Sequence, residues 1–394
     1  MALLPVAEAQ ARLFALAAPR RVEMVPLSAA FGRYAAADIV AKRTQPASDL
    51  TAMDGYAIRF ADLPGPWRVV GESAAGRAFD GPVGPREAAR IFTGAPVPRG
   101  ADTILIQEEA ARDGDNLMLA GEGPPRLGAH VRQRGYDFAE GALLARAGNL
   151  LTPARIALAA MGGHGALPVR TRPRVALIST GDELVSPGME TAGAMLPASN
   201  GIMLQALIGP HADVIDMGII PDDLARLTTA FQDAAAIADV VVTTGGASVG
   251  DHDLIRPALA AAGATLDFWR IAMRPGKPML TGQLSEAVML GLPGNPVAAF
   301  VGSHLFLLPL LRHLAGAVAP LPRTERARCR VALPAVGARD DYLRAVRDDI
   351  GVRPVGPDDS AALFGLAKAD ALIIRPAGAP PTLVDESVEI LGIA

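Results

Sequence analysis

The sequence predicts a multidomain α/β plus β protein. A central doubly wound parallel α/β domain is preceded by an inserted small β-domain and followed by a C-terminal small β-domain. Three observations carry this. First, 394 residues fill roughly two to three domains of ordinary size. Second, strand-like and helix-like segments alternate regularly over 173–320, the pattern of parallel βαβ units. Third, 46–140 and 321–394 are rich in Gly and Pro and break into short alternating runs, as small β-domains do.

Composition narrows the function. A hydrophobic share of 50% with 20% charged residues supplies a sizeable core. Lys+Arg 37 against Asp+Glu 41 is mildly acidic with no basic tract, so nucleic acid is not an expected partner. A single cysteine, Cys329, excludes an internal disulfide and a cysteine metal site and reads as a core residue. Met1–Ala18 lacks a basic start and carries Glu8 and Arg12, so it reads as an amphipathic helix and not a targeting segment. The most apolar run, Val297–Leu311, contains Ser303, His304 and Pro309. At that length, short of about 20 residues, it reads as a buried helix and not a membrane span. A soluble, cytoplasmic protein with no membrane partner is expected.

In chain order, residues 1–45 read as mainly helical, and 141–172 return to helix at Pro153–Met161, so the two form one discontinuous domain around the insert. Within 46–140, Asp54-Gly55 is a turn signal before the strand Tyr56-Ala57-Ile58. Further strands are expected at Trp67–Val70, Ala89–Thr93, Thr103–Gln107 and Asn116–Leu119. Thr93-Gly94-Ala95-Pro96 is a stiff turn presenting a hydroxyl. Arg132, Arg134 and Asp137 read by themselves as a solvated surface network.

In 173–320, Arg174–Ser179 is a strand closed by Thr180-Gly181-Asp182-Glu183. Asn200–Leu207 is a helix and Val214–Ile219 a strand. Asp222–Ala238 is an amphipathic helix with Leu224, Leu227, Phe231, Ala234 and Ala238 on one stripe. Asp239–Val242 reads as a buried strand, stopped by Thr243-Thr244-Gly245-Gly246-Ala247-Ser248-Val249-Gly250-Asp251-His252-Asp253. Leu254–Gly263 is helical and Leu266–Ile271 a strand. The loop Arg274-Pro275-Gly276-Lys277-Pro278 precedes the strand Ala287–Leu292. Pro293-Gly294-Asn295-Pro296 starts a helix with proline in its first turn, and Pro309 should bend or break that helix. The last domain holds short strands near Ala327–Leu333, Tyr342–Val346, Ala371–Arg375 and Val388–Leu391.

Four of these loops gather at the carboxyl ends of strands, where open α/β sheets bind ligands. No G-x-G-x-x-G or G-x-x-x-x-G-K-[ST] occurs, so dehydrogenase and Walker-type readings lack support. No H-E-x-x-H occurs either, and the scattered histidines give no zinc pattern; His252 reads as a surface histidine. What remains is a rim of carboxylates (Glu183, Asp251, Asp253), hydroxyls (Ser179, Thr180, Thr244, Ser248), backbone donors, and two cations, Arg274 and Lys277. Prolines on either side stiffen Gly276-Lys277, and a stiff cation beside a glycine turn suits a phosphate. Carboxylates facing a phosphate need a divalent cation between them, and Mg²⁺ takes one or two carboxylates plus substrate oxygens. The residues therefore point to a Mg²⁺-assisted phosphoanhydride or phosphate-ester site.

Six motifs, in order along nearly the whole chain, closely resemble the MoeA family, to which the gephyrin E-domain is related. They are Thr51-Ala52-Met53-Asp54-Gly55-Tyr56-Ala57, Thr93–Pro98, Ser179–Leu184, Gly245–Asp251, Pro275-Gly276-Lys277-Pro278 and Leu292–Pro296. The resemblance implies a molybdopterin molybdenumtransferase, which inserts molybdate into adenylyl-molybdopterin and releases AMP and molybdenum cofactor. It implies an elongated homodimer whose discontinuous first domain is a linker and dimerisation module. The last domain would be β-barrel-like. The active site would lie between the α/β domain of one subunit and the inserted β-domain of the other. Asp54, Asp137, Glu183 and Asp253 would be catalytic, with Glu183 and Asp253 at Mg²⁺. Thr93, Thr180, Gly181, Gly245, Gly246, Ser248, Gly250, Arg274, Lys277, Pro293 and Asn295 would bind the substrate. Contacts with molybdopterin adenylyltransferase and with molybdoenzymes follow from the same resemblance.

This chain departs from the family in three places. Ala198-Ser199-Asn200 stands where Asp-Thr-Asn is common, Arg274 where Lys is common, and Asp359-Ser360 where a Gly-Ser turn is common. Arg339–Arg344 is similar to the family's segment in the last domain. Two other readings compete: molybdopterin adenylyltransferase or a related nucleotide-processing enzyme on the same α/β module, and a non-catalytic gephyrin-like scaffold. The first lacks the inserted domain with its A-M-D-G-Y-A motif. The second would need a long linker and extra domains.

Overall fold

The computed structural model describes residues 3–191, 193–245, 254–357 and 359–393. The chain starts with helix α1 (Val6–Ala15). Its apolar residues Val6, Ala9 and Leu13 recur on one helical face and enter the core of the central α/β domain beside Leu305 and Leu311. Strands β1 (Val22–Pro26) and β2 (Ile39–Val40) follow.

The inserted domain comes next. It contains β3 (Leu50–Thr51), β4 (Gly55–Ile58), β5 (Trp67–Ser73), β6 (Glu87–Ile91), β7 (Thr103–Ile106), β8 (Ala110–Asp113), β9 (Asn116–Leu119) and β10 (Val131–Arg132). Six strands form one sheet in the order β7-β4-β6-β5-β9-β8, and β3 pairs with β10. Side chains alternate across β4. Tyr56 and Ile58 join Trp67 and Leu117 in one cluster, while Ala57 joins Ile91 and Ile104 in another.

Strand β11 (Leu143–Ala145), helix α2 (Pro153–Met161) and strand β12 (Ala166–Arg170) bring the chain back. Antiparallel pairs β1–β12 and β2–β11 join the two halves of this region. Thr152 caps α2 by accepting the Arg155 N–H, with Pro153 in the first turn. The expectation of a mainly helical region is corrected here. Its core is Val25, Ile39, Ala145, Leu151 and Leu167 from short strands and turns, with Ala159 of α2. Val22–Pro26 and Ala166–Arg170 find a pairing partner in each other, and that long-range pairing overrides the helical bias of the Ala-rich surroundings.

The α/β domain holds β13 (Arg174–Thr180), β14 (Leu184–Val185), β15 (Leu196–Pro197), α3 (Ser199–Ile208), β16 (Asp213–Ile220), α4 (Leu224–Ile237), β17 (Val240–Thr244), α5 (Ile255–Ala262), β18 (Thr265–Arg270), β19 (Met273–Arg274), β20 (Pro278–Leu284) and β21 (Ala287–Leu292). The sheet order is β16-β13-β17-β21-β20-β18. The first four strands pair in parallel, and β20 runs against its neighbours β21 and β18. Strand β20 was not foreseen. It forms a tight hairpin with β21 across Ser285-Glu286, with Ser285 at φ 54°.

A 19-residue helix, Pro296–Leu314, packs on this sheet as α6 (Pro296–Gly302), a π-helical turn (Ser303–Leu307) and α7 (Leu308–Leu314). Pro309 has no N–H to give the Leu305 carbonyl one turn earlier. The Gln10 side chain of α1 donates to that carbonyl instead, at 2.7 Å. A buried carbonyl left unpaired would cost about 1–3 kcal/mol, so this bond helps fix α1 to the α/β core. The helix is long and apolar enough to cross a membrane, so length does not exclude a span as the sequence reading held. Burial identifies it as a core helix: 83% of its most apolar window lies inside the protein.

The C-terminal domain holds β22 (Thr324–Arg328), β23 (Asp340–Arg347), β24 (Val352–Pro354), α8 (Leu363–Leu366), β25 (Ala371–Arg375) and β26 (Ser387–Gly392). Its sheet runs β19-β23-β25-β26-β22, with β24 also on β23. A bridge between Cys329 and Val352 joins the end of β22 to β24 and closes the ring, which makes the domain barrel-like. Cys329 is fully buried in its core. Because β19 belongs to this sheet, the α/β and C-terminal domains share a strand ladder.

Candidate active site

Parallel pairing aims the carboxyl ends of β13, β17 and β21 the same way. The register sets Ser179 beside Thr244 and Thr244 beside Leu292, so three loops emerge side by side. Their close approach needs glycine. Gly245 has φ +106°, and a Cβ there would lie 3.1 Å from both the carbonyl and Oγ1 of Thr180. Gly181 has φ +140°, and a Cβ there would stand 2.4 Å from the Glu183 carboxylate.

These loops form one wall of a cleft of about 1000 Å³, and the C-terminal domain forms the other. Glu183, Gly245, Arg274, Lys277, Pro293 and Asn295 line it. Thr180 and Gly181 are not part of that lining but adjoin Gly245 and Glu183 respectively. Opposite stand Arg339, Asp341, Arg344, Ser360 and Arg375.

The charges differ in how they are held. Arg274 makes a bidentate pair with Asp341, Nε to Oδ1 and Nη2 to Oδ2, both 2.8 Å. The sequence places Arg274 among the cations that offset substrate charge; it lines the cleft, and a carboxylate 67 residues away shares its charge. The β19–β23 ladder sets Arg274 directly against Asp341, which is why the two meet. Arg344 is buried and donates to the carbonyls of Ala362, at 2.7 Å, and Pro357, so it shapes the loop around Ser360. Arg375 is likewise buried and bound to the Pro380 carbonyl. Among the described residues, Lys277 and Arg339 line the cleft without an ion-pair partner. They are the cations left for an anionic ligand.

Polar neutral groups complete the floor. Asn295 Nδ2 donates to Ser360 Oγ at 2.8 Å, so Ser360 joins the site despite the departure at Asp359. Asn200 Nδ2 donates to the Gly294 carbonyl at 2.6 Å, and its Oδ1 is buried without a partner. Ala198 occupies the N-cap of α3 and supplies no side-chain acceptor, the local consequence of the missing Asp.

Acidic groups crowd the same end of the sheet. Asp182 Oδ1 accepts the Asp222 N–H at 3.1 Å. Burial raises the Asp222 carboxyl above its usual range, and repulsion from Asp182 and Glu183 adds to the rise. Among the described residues no group of three His, Cys, Asp or Glu could hold a metal by itself.

Asp54 and Thr93 sit elsewhere. The Asp54 Oδ1 accepts both the N–H and the hydroxyl of Thr93, each at 2.7 Å. Those bonds, the backbone one first, hold the carboxyl below its usual range, with Arg90 contributing. Arg90 is itself fixed over the rings of Tyr56 and Phe92, 5.1 and 4.7 Å from their centroids. Asp137 is exposed on the loop after β10, its N–H bonded to the Gln45 carbonyl. None of these three lines the cleft of its own chain. Gly246, Ser248, Gly250, Asp251, His252 and Asp253 lie outside the described residues.

Sequence reasoning did not single out Arg375 or the Arg274–Asp341 pair. The charged strand Arg339-Asp340-Asp341-Tyr342-Leu343-Arg344 was the available signal. A strand with cations and carboxylates on both faces of a small β-domain needs a partner for them.

Residues 4–163 match the family profile "MoeA N-terminal region (domain I and II)", 176–313 match "Probable molybdopterin binding domain", and 326–392 match "MoeA C-terminal region (domain IV)". The chain is 35% identical over 367 residues to "Molybdopterin molybdenumtransferase 2" of Mycobacterium tuberculosis, covering 89% of this chain and 90% of that one. It is 35% identical over 305 residues to "Molybdopterin molybdenumtransferase" of Haemophilus influenzae, covering 76% and 74%. Among solved structures it is similar to the "molybdopterin biosynthesis moeA protein" of Pyrococcus horikoshii, with a TM-score of 0.86, 27% identity and full coverage of both chains.

Proposed function

The chain belongs to the MoeA family of molybdopterin molybdenumtransferases, and from that premise we propose that it inserts molybdenum from molybdate into adenylyl-molybdopterin, releasing AMP and molybdenum cofactor. The observation that carries the reading in this chain is the cleft. It offers Lys277 and Arg339, which have no carboxylate partner among the described residues, beside a glycine-lined turn and the Asn295–Ser360 pair. That is the donor set for an esterified, multiply anionic pterin.

Mg²⁺ belongs to the same proposal. Glu183 on the cleft wall is one carboxylate, and the nearby Asp222 carboxyl is raised first by burial, with repulsion from Asp182 and Glu183 adding to it. Mg²⁺ takes one or two carboxylates and completes its shell with substrate oxygens and water. Glu183 and Asp253 would hold it, and it would supply neutralisation of phosphate charge. The chain's own residues do the rest. Lys277 and Arg339 bind phosphate oxygens, and Asn295 and Ser360 orient the ligand. Asp54 stays ionised and offers Oδ2, which no described group occupies, as an acceptor for a proton at the reacting centre.

Because Asp54, Thr93 and Asp137 do not line their own chain's cleft, the proposal includes a cytoplasmic homodimer in which they reach the partner's cleft. The discontinuous domain leaves Met24, Phe31 and Leu150 exposed, apolar surface suited to burial between subunits. Contacts with molybdopterin adenylyltransferase and with molybdoenzymes would supply the substrate and take the product. The test is AMP release from adenylyl-molybdopterin. Release that needs molybdate supports the reading, and release equally fast without it overturns insertion as the chemistry.

A further inference from the structure

A second cavity, of about 260 Å³, lies away from the cleft where α7 and the turn after α3 meet the C-terminal domain. Its polar lining is His211, His304, Arg312 and Arg323, with Leu207 and Leu308 among its apolar walls and no Asp or Glu. Among the described residues, the side chains of Arg312 and Arg323 have no ion-pair or hydrogen-bond partner. His304 is 7% exposed, and its Nε2 is buried with no partner. Two guanidinium groups without a counter-charge repel one another, and an unpaired buried imidazole nitrogen is costly.

One occupant relieves all of this. We infer that the cavity binds a small tetrahedral oxyanion, with Arg312 and Arg323 as charge partners and His211 and His304 as imidazolium donors. The volume fits such an ion with a few waters and falls below the usual range for cofactor-sized ligands. None of the four residues lines the cleft, so the site is separate from the proposed chemistry.

The pH behaviour follows from the geometry. Burial, then Arg312, holds both imidazoles below their usual range, His304 at about 4. The other titratable or charged groups near them are Arg323, Arg172 with Asp213 paired to it at 2.8 Å, Tyr34, and Arg33, itself paired with Glu23. A bound dianion opposes Arg312 and favours the protonated rings. Binding therefore takes up protons and tightens as pH falls.

The experiment titrates sulfate into the full chain at constant ionic strength and follows the histidine ring resonances by NMR. Sulfate keeps its charge from about pH 8 to about pH 6, so a pH dependence in that range belongs to the histidines. Sulfate should shift the His304 and His211 rings and bind more tightly at the lower pH. Arg312→Met and the exposed Arg323→Gln should each weaken binding about tenfold. Lys277→Met should leave the ring response intact, which separates this site from the cleft. Rings unmoved by sulfate overturn the inference. So does a response lost in Lys277→Met but kept in Arg312→Met, or acetate acting as strongly as sulfate.

Discussion

Asp54 and Lys277 sit on scaffolds that hold charge in different ways. Asp54 is fixed by its own domain: one oxygen takes two bonds from Thr93, and Arg90 is clamped between two rings beside it. Lys277 stands on a turn between two strands that belong to different sheets, β19 in the C-terminal barrel and β20 in the α/β sheet. No described carboxylate pairs with it, while the neighbouring Arg274 is neutralised by Asp341. The inserted domain thus presents a preset anion, and the cleft keeps cations in reserve. Each half is incomplete for a reaction in which an anionic ligand is held while a proton is handled. Two separate modules can be stable alone and reactive only when joined.

The largest expected effects come from removing either charge. Lys277→Met and Asp54→Asn should each lower molybdate-dependent AMP release about 100-fold, roughly 2.7 kcal/mol of transition-state stabilisation. Wild-type turnover in Asp54→Asn would break the comparison, because the inserted domain would then lie outside the site. Asp341→Ala is next. It removes the bidentate pair that fixes the Arg274 guanidinium on the cleft wall, so AMP release should fall about tenfold; unchanged kinetics would make the pair structural only.

Thr93→Val sharpens the account of Asp54. The backbone N–H, the larger influence, remains, and only the hydroxyl bond is lost. That bond favours the ionised carboxylate, so its loss raises the Asp54 carboxyl back toward 3.8. The acid limb of the AMP-release profile should move to higher pH, with a loss of a few-fold near neutrality. A limb that moves to lower pH would contradict the assignment. The smallest effect is expected from Ser360→Ala, which takes one acceptor from Asn295 and should raise KM about twofold to fivefold; a fall in kcat with KM unchanged would place Ser360 in the reacting centre instead.

Much of this was legible in the sequence because it is local. The β/α alternation, the glycine turns after β13 and β17, and the proline-bracketed Lys277 are each written within a few residues. What was not legible depends on pairing across the chain. Strand β20 is defined by its hairpin with β21, and the first region by the match of Val22–Pro26 with Ala166–Arg170. The pairing of Arg274 with Asp341 depends on a register between two domains. Pro309 announced a disturbance in its helix, yet only the fold shows that Gln10, from the start of the chain, satisfies the carbonyl it abandons.

The central claim is that one functional site draws on two subunits, and subunit mixing tests it most directly. Asp54→Asn and Lys277→Met chains, each inactive alone, are unfolded together, refolded as mixed pairs and assayed for AMP release. Random pairing makes half of the pairs hybrid, each with one intact site, so about a quarter of wild-type activity should return. Hybrid pairs that form, verified by differently tagged subunits, but stay inactive would contradict a shared site.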